Sequence, residues 1–197
     1  MKAAGALVVL ALIAGAVVSL VMLFDTKGPV GSEHLNGTKL PQFAAPLAGG
    51  GLSGDANIYS PEEAKAKNAK AACDVDLKGS INSCDGLKGA AVLLFFNSEK
   101  SECVAQVDKL DQVLRQKPGV NAIALAFDET ANSAAATASK KSWKLPVAAD
   151  PDGAVAALYS VAGCPSAFFA QDGVIRGVKL GVQSPEQLSQ AIEQYTK

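Results

Sequence analysis

Arginine is almost missing from this 197-residue chain: Arg115 and Arg176 are the only two, and 18 basic side chains stand against 19 acidic ones. A nucleic-acid binder needs a concentrated basic face for phosphate contacts, so that class is excluded. Histidine occurs once, as His34, and cysteine four times. No two cysteines lie two to four residues apart and His34 is remote from all of them, so zinc-ligand spacing is lacking and no metal is expected. No cysteine precedes Cys73, which removes a lipid-modified N-terminal cysteine. The Gly-Gly-Gly-Leu-Ser-Gly run at 49–54 lacks the Gly-Lys-Ser/Thr ending of a phosphate loop and reads as a flexible turn. Haem motifs, nucleotide motifs and internal repeats are lacking too, so no cofactor is expected. With 49% hydrophobic and 19% charged residues, the composition fits neither a disordered tail nor a small knot held by disulfides alone.

What the chain does have is an apolar N-terminus. Apart from Lys2, Gly5, Gly15 and Ser19, the first 24 residues are all apolar. As a helix, residues 3–24 would reach roughly 33 Å, enough to cross the hydrocarbon core. A cleaved signal has a shorter apolar region followed by a small-residue site. Here the small-residue site, Ala14-Gly15-Ala16, is buried inside the run. The expectation is an uncleaved single-pass anchor, with secretion after signal cleavage as the alternative. Lys2 before the run, and the cancelling pair Asp25 and Lys27 after it, put the N-terminus in the cytoplasm and the rest outside, where disulfides persist.

Beyond the anchor (1–24), the reading is a tether over 25–44, an extension over 45–88 carrying Cys73 and Cys84, and a core over 89–197. Ser60 and Pro61 open a helix over 61–72 as N-cap and first helical residue. Residues 91–96 are a continuous apolar run of strand length, as expected for a strand covered on both faces, and 120–127 read as a second buried strand. Between them Cys103, Val107, Leu110 and Leu114 recur at helical spacing. A helix over 131–144, a strand over 145–149 and a short helix over 154–161 follow. Asp172-Gly173 joins strands 166–170 and 174–180 in a hairpin, and Ser184, Pro185 and Gln187 open the last helix with a capping box. Strands alternating with helices and then a hairpin give an α/β fold: a mixed central sheet with helices on both faces.

This order, with two local motifs, resembles thioredoxin-like redoxins of the membrane-anchored TlpA or ResA type, related to AhpC/TSA proteins. The first motif is residues 95–103, Phe-Phe-Asn-Ser-Glu-Lys-Ser-Glu-Cys, where such proteins carry Phe-Trp-Ala-x-Trp-Cys-x-x-Cys. The second is Gly163-Cys164-Pro165, which resembles the family's cis-proline strand and is followed by the Asp172-Gly173 turn. Leu40-Pro41-Gln42-Phe43 is similar to the opening of TlpA and peroxiredoxin-like domains. The resemblance implies a thioredoxin-like fold preceded by one transmembrane helix. It also exposes a departure, because Lys100 stands where the family's nucleophilic cysteine would be and only the second position, Cys103, is kept.

In thioredoxin folds the loop before the cis-proline lies against the active-site helix. The resemblance therefore implies a Cys103–Cys164 pair, leaving Cys73 and Cys84 as a structural bridge; the sequence alone allows three pairings. The expected function is thiol-disulfide exchange with protein thiols or disulfides, through Cys103 and Cys164, with Gly163 and Pro165 beside the partner. Lys100 is either a charge favouring the Cys103 thiolate or a solvated lysine. Two alternatives remain. One is a non-catalytic binding module with inert bridges. The other is a Cys103 peroxidase, although Phe96 and Lys100 occupy the Pro and Thr places of a Pro-x-x-x-Thr-x-x-Cys motif. Trp143 and Tyr159 read as packing residues, and His34 as solvated.

Overall fold

The computed structural model describes residues 31–197, and the expected anchor lies outside them. Among the described residues no helix is long and apolar enough to cross a membrane. In chain order there are a 3-10 turn at Ser32–Leu35, β1 (Ala44–Pro46), α1 (Pro61–Lys67), a second 3-10 turn at Ala72–Asp74, β2 (Ser80–Asn82), α2 (Ser83–Gly86) and β3 (Ala90–Phe96). Then come α3 (Ser101–Leu114), β4 (Asn121–Phe127), α4 (Ala131–Lys141), β5 (Val147–Asp150), α5 (Ala154–Leu158), β6 (Ser166–Gln171), β7 (Val174–Leu180) and α6 (Pro185–Tyr195). The main sheet has the order β5-β4-β3-β6-β7. Strands β3, β4 and β5 are parallel; β6 runs antiparallel to β3, and β7 antiparallel to β6.

The apolar runs become strands because both faces of the sheet are covered. On one face Val92, Leu94 and Phe96 of β3 meet Cys103, Val107 and Leu110 of α3 and Leu188 and Ile192 of α6. On the other, Leu93 and Phe95 meet Phe43, Leu87, Val155 and Tyr159. Each of these large side chains, fully buried, contributes about 1.5 to 3 kcal/mol of transfer free energy. Tyr159 is a core residue: its ring meets Phe43, Phe95 and Phe168, and its hydroxyl donates to Pro41 O at 2.8 Å. The β6–β7 turn places Asp172 and Gly173 both at positive φ, 51° and 75°, the conformation that a two-residue hairpin with the strands' own twist requires. Capping boxes form at Ser60/Glu63 and at Ser184/Gln187.

Several expectations are corrected. The helix expected over 61–72 stops at Lys67, because Asn68 turns left-handed as its C-cap. The helix expected to reach 144 ends at Lys141, with Ser142 left-handed in the same way. The helix over 154–161 ends at Leu158, and the strand expected over 145–149 is shifted to Val147–Asp150. The expected tether is no loose connection from Gly31 onward. Ser32 is buried with its hydroxyl on Ser160 O, Thr38 O accepts from Ile175 N, and Phe43 is fully buried. The segment then reaches the opposite side of the sheet, where Ala48 N donates to Val147 O at 2.8 Å.

The glycine run at 49–54 is also no free turn. A Cβ on Gly50 would stand 2.6 Å from Gly79 O, and Gly79 itself has φ +89°. Two backbones cross here with no room for a side chain, a close approach that glycine alone permits. Gly79→Ala is therefore expected to destabilise the domain by about 2 kcal/mol in urea unfolding, from the positive φ and the crossing together.

Candidate active site

The loop between β3 and α3 is built by short polar side chains. Asn97 Oδ1 accepts from Glu99 N at 2.9 Å, and Asn97 Nδ2 donates to Phe127 O at 3.3 Å. Ser98 N donates to the Glu129 carboxylate, whose other oxygen accepts the Ser133 hydroxyl at 3.2 Å. Lys100 is the N-cap of α3 and offers no side-chain cap, so the first turn of a 14-residue helix opens with its dipole uncapped by a side chain. Cys103, the third residue of that helix, is fully buried. Lys100, Glu99 and Glu102 are all exposed around it.

Facing α3 is the loop before β6. The Cys164–Pro165 peptide is cis, and the Ser166 hydroxyl donates to Gly163 O at 2.7 Å. Cys164 is half-buried and bonded to Cys103, with the two Cα atoms 5.6 Å apart. A shallow cleft of about 250 Å³ opens over Cys164, lined by Gly163, Pro165, Leu180 and Gly181 together with Gly31 and Ser32. Two of the large exposed apolar side chains, Leu180 and Val182, lie at this end of β7. The bridge is therefore asymmetric: one sulfur sits in a core at a helix N-terminus, the other at the edge of an apolar cleft.

Cys73 and Cys84 are also bonded to each other, with Cα atoms 5.6 Å apart. They tie the second 3-10 turn to α2, and both are half-buried. Cys84 borders a different cleft, of about 560 Å³, which reaches Gly89 and the Asp172-Gly173 turn at the far end of β6 from Pro165. Among the described residues, no group of three or more His, Cys, Asp or Glu is arranged to hold a metal ion. His34 is exposed, its Nδ1 2.7 Å from Gly31 O. Trp143 stacks edge-on against Phe96 and donates from Nε1 to Asp108 at 2.6 Å.

Two residues near the site carried no signal in the sequence. Glu129 looked like an ordinary loop acid, yet it is buried and organises the loop that leads into α3. Gln106 sat on the buried stripe of α3 without a motif around it, and it is 1% exposed. A buried glutamine at helical spacing from a cysteine was the available clue, but only contacts reveal what its amide does.

The family model for the AhpC/TSA family matches residues 62–178. A comparison with curated proteins finds no match. Among solved structures, a thiol:disulfide interchange protein of the thioredoxin family from Chlorobium tepidum is 16% identical with a TM-score of 0.54, over 81% of this chain and 97% of that one. A secreted Mycobacterium tuberculosis disulfide oxidoreductase, homologous to E. coli DsbE, is 22% identical with a TM-score of 0.53, over 59% of this chain and 89% of that one. The peroxidoxin BcpB of Mycobacterium tuberculosis is 14% identical with a TM-score of 0.55, over 80% and 92%. At these identities the structures establish the thioredoxin-like fold and not the chemistry. With the family model spanning more than half its length and the thioredoxin-like sheet beneath it, the chain belongs to the AhpC/TSA family.

Proposed function

We propose that this protein is a membrane-anchored, extracytoplasmic thiol-disulfide oxidoreductase working through Cys103 and Cys164. The observation that carries the reading is the asymmetry of their bridge, a half-exposed sulfur in an apolar cleft joined to a fully buried one in the first turn of α3. A partner thiolate attacks Cys164 Sγ. A partner–Cys164 disulfide forms, the Cys103–Cys164 bond breaks, and its electron pair leaves on Cys103 as a thiolate stabilised by the helix N-terminus. A second thiol of the partner then attacks the partner's own sulfur, leaving the partner oxidised and Cys164 as a thiolate. In the opposite direction, the reduced pair attacks a partner disulfide through Cys164, and Cys103 resolves the mixed disulfide.

Gly163 and Pro165 shape the cleft that receives the partner chain. Lys100 contributes a solvated positive charge near the leaving thiolate. The Cys73–Cys84 bridge is structural. The anchor is residues 3–24, and the oxidising compartment outside the cytoplasm suits both bridges. The similar Mycobacterium tuberculosis oxidoreductase is itself a secreted protein.

The test is the reduction potential of the Cys103–Cys164 bridge, followed by quantified thiol alkylation in glutathione buffers. A working bridge equilibrates above about −300 mV, in the range of exchange proteins. A lower value, or no reduction by a dithiol, would mark both bridges as inert and leave a binding module. Peroxide consumption that survives Cys164→Ser but not Cys103→Ser would instead identify a peroxidase.

A further inference from the structure

Four buried side-chain polar atoms have no hydrogen-bond partner among the described residues: Gln42 Oε1, Ser98 Oγ, Gln106 Nε2 and Gln171 Oε1. Gln106 Nε2 is the only amide donor of the four, and it lies on the same helix as the buried half of the bridge. Its residue is 1% exposed, so the missing partner is not bulk water. The amide is oriented by its other end: Oε1 accepts the Gln183 N–H at 2.9 Å, which obliges the NH₂ group to face away from that backbone. Leaving such a donor unpaired in a core costs about 1 to 3 kcal/mol, so it calls for an explanation.

Position supplies one. Gln106 follows Cys103 by three residues on α3, where Cβ atoms of such pairs stand about 5 to 6 Å apart. Helical side chains lean toward the N-terminus, so Gln106 leans back over the turn that holds Cys103. With the bridge closed, Cys103 sulfur is bonded to Cys164 and is a poor acceptor. When the bridge opens, the two sulfurs must separate, and Cys103 Sγ turns about χ1 within a buried site carrying a full negative charge. Of the charged groups on α3 and its cap, Lys100 and Glu102 are exposed, Asp108 is engaged by Lys141 and Trp143, Asp111 by Arg115 and the Lys144 and Leu145 N–H groups, and Lys109 Nζ donates to Gln183 O at 3.1 Å. Glu129, on the loop after β4, has its two oxygens engaged by Ser98 N and the Ser133 hydroxyl.

We propose that Gln106 Nε2 is the hydrogen-bond donor that receives the Cys103 thiolate when the Cys103–Cys164 bridge opens. The amide is left unpaired in the oxidised protein so that it is paired in the reduced one. Through Oε1 it also links Cys103 to Gln183 and hence to the Leu180–Val182 edge of the cleft, where a partner chain would lie.

This inference rests on the exchange reading for its purpose, and its test does not. In full-length Cys164→Ser protein, Cys103 is a free thiol whether or not the native bridge exchanges with any partner. Its pKa is read from thiolate absorbance at 240 nm against pH. Gln106→Met is expected to raise that pKa by about one to two units, the loss of a hydrogen bond to a charged group. Gln106→Glu, which keeps the Gln183 bond but replaces the donor, is expected to raise it at least as far, while Lys100→Ala moves it by a few tenths. If either Gln106 variant folds and leaves the pKa within a few tenths of its parent, the proposal is overturned.

A measurement on the unsubstituted protein guards against variants that fail to fold. The Gln106 side-chain amide protons, followed by nitrogen-15 NMR, are expected to move downfield as Cys103 of the reduced protein titrates. Unmoved amide protons through that titration would equally overturn the proposal. An unshifted pKa removes the role of Gln106 and leaves the exchange reading intact. A bridge that no dithiol reduces removes the exchange reading and leaves the thiol's pKa measurable.

Discussion

Cys164→Ser is expected to abolish thiol-disulfide exchange and to lower the unfolding free energy of the oxidised domain by about 4 kcal/mol, the chain-entropy value for a bridge spanning 61 positions. Against a typical total of about 5 to 15 kcal/mol, that loss is large enough to read directly from a urea midpoint. Cys103→Ser loses the same bridge, yet the two variants differ in what they leave behind. Cys103→Ser exposes a free thiol at Cys164 in the cleft, and it is expected to accumulate mixed disulfides with partner proteins, detectable as reductant-sensitive mass increases. Cys164→Ser leaves a buried thiol in α3, which is expected to react with added disulfides far more slowly. Equal trapping by both variants would contradict the assignment of Cys164 as the attacked sulfur. The Cys73–Cys84 bridge spans only 11 positions and contributes about 3 kcal/mol on the same estimate. Removing it is expected to weaken the fold while leaving exchange at the other bridge in place.

Asp111→Ala is expected to cost about 3 kcal/mol at neutral pH, and that cost shrinks in acid. Asp111 lies on the buried side of α3, 3% exposed, and its Oδ1 accepts the backbone N–H groups of Lys144 (2.7 Å) and Leu145 (3.0 Å). Truncation strands both donors where α4 hands over to β5, and a buried unsatisfied donor costs about 1 to 3 kcal/mol. Burial by itself would raise the Asp111 pKa, but the Arg115 guanidinium at 2.6 Å and the two backbone N–H groups together outweigh it, so the net shift is downward. A carboxyl depressed on folding stabilises the native state above its unfolded pKa, near 3.8, and that contribution is lost as pH falls through the lower folded value. The gap between wild type and Asp111→Ala in urea unfolding is therefore widest at neutral pH and narrows below about pH 4.

Asp150 pulls the other way. It is fully buried, and burial raises its pKa despite bonds from Ala156 N and Val155 N. Its contribution is complete below the unfolded value and is lost as pH rises through the raised folded one. The two buried carboxyls therefore bend the wild-type profile in opposite directions, and Asp111→Ala removes the limb that belongs to Asp111. A gap that stays constant from pH 7 to pH 3 would show that Asp111 acts through packing and not through its charge.

The parts of the fold legible in the sequence are those where local chemistry and global position agree. The segments ending at Phe96 and Phe127 read as strands covered on both sides, and Ser60, Ser184 and Asp172-Gly173 announce their caps and turn by residue type. Helix ends were overestimated where the stop is a left-handed Asn68 or Ser142, residues that terminate a helix less visibly than glycine. The tether expected over 25–44 is packed from Ser32 onward by contacts to distant residues, such as Ser160, Ile175 and Tyr159, which leave no periodicity behind. The cysteine pair at the site came from the resemblance, through the cis-proline loop. Gln106 and Glu129 stayed hidden because a polar side chain inside a core is defined by what it faces, and spacing does not encode that.

The path of the N-terminal segment has a consequence for how the molecule behaves among its own kind. A five-stranded open sheet has two edges, and bare edges template pairing with other chains. This single segment hydrogen-bonds to Gly173 and Ile175 of the β7 hairpin at one edge and to Val147 of β5 at the other. The part of β7 that it does not reach carries Arg176 and Lys179, charges that oppose a neighbouring strand. The same stretch that leads from the expected anchor thus acts as a guard against aggregation, and trimming it to obtain a shorter soluble fragment would bare both edges at once.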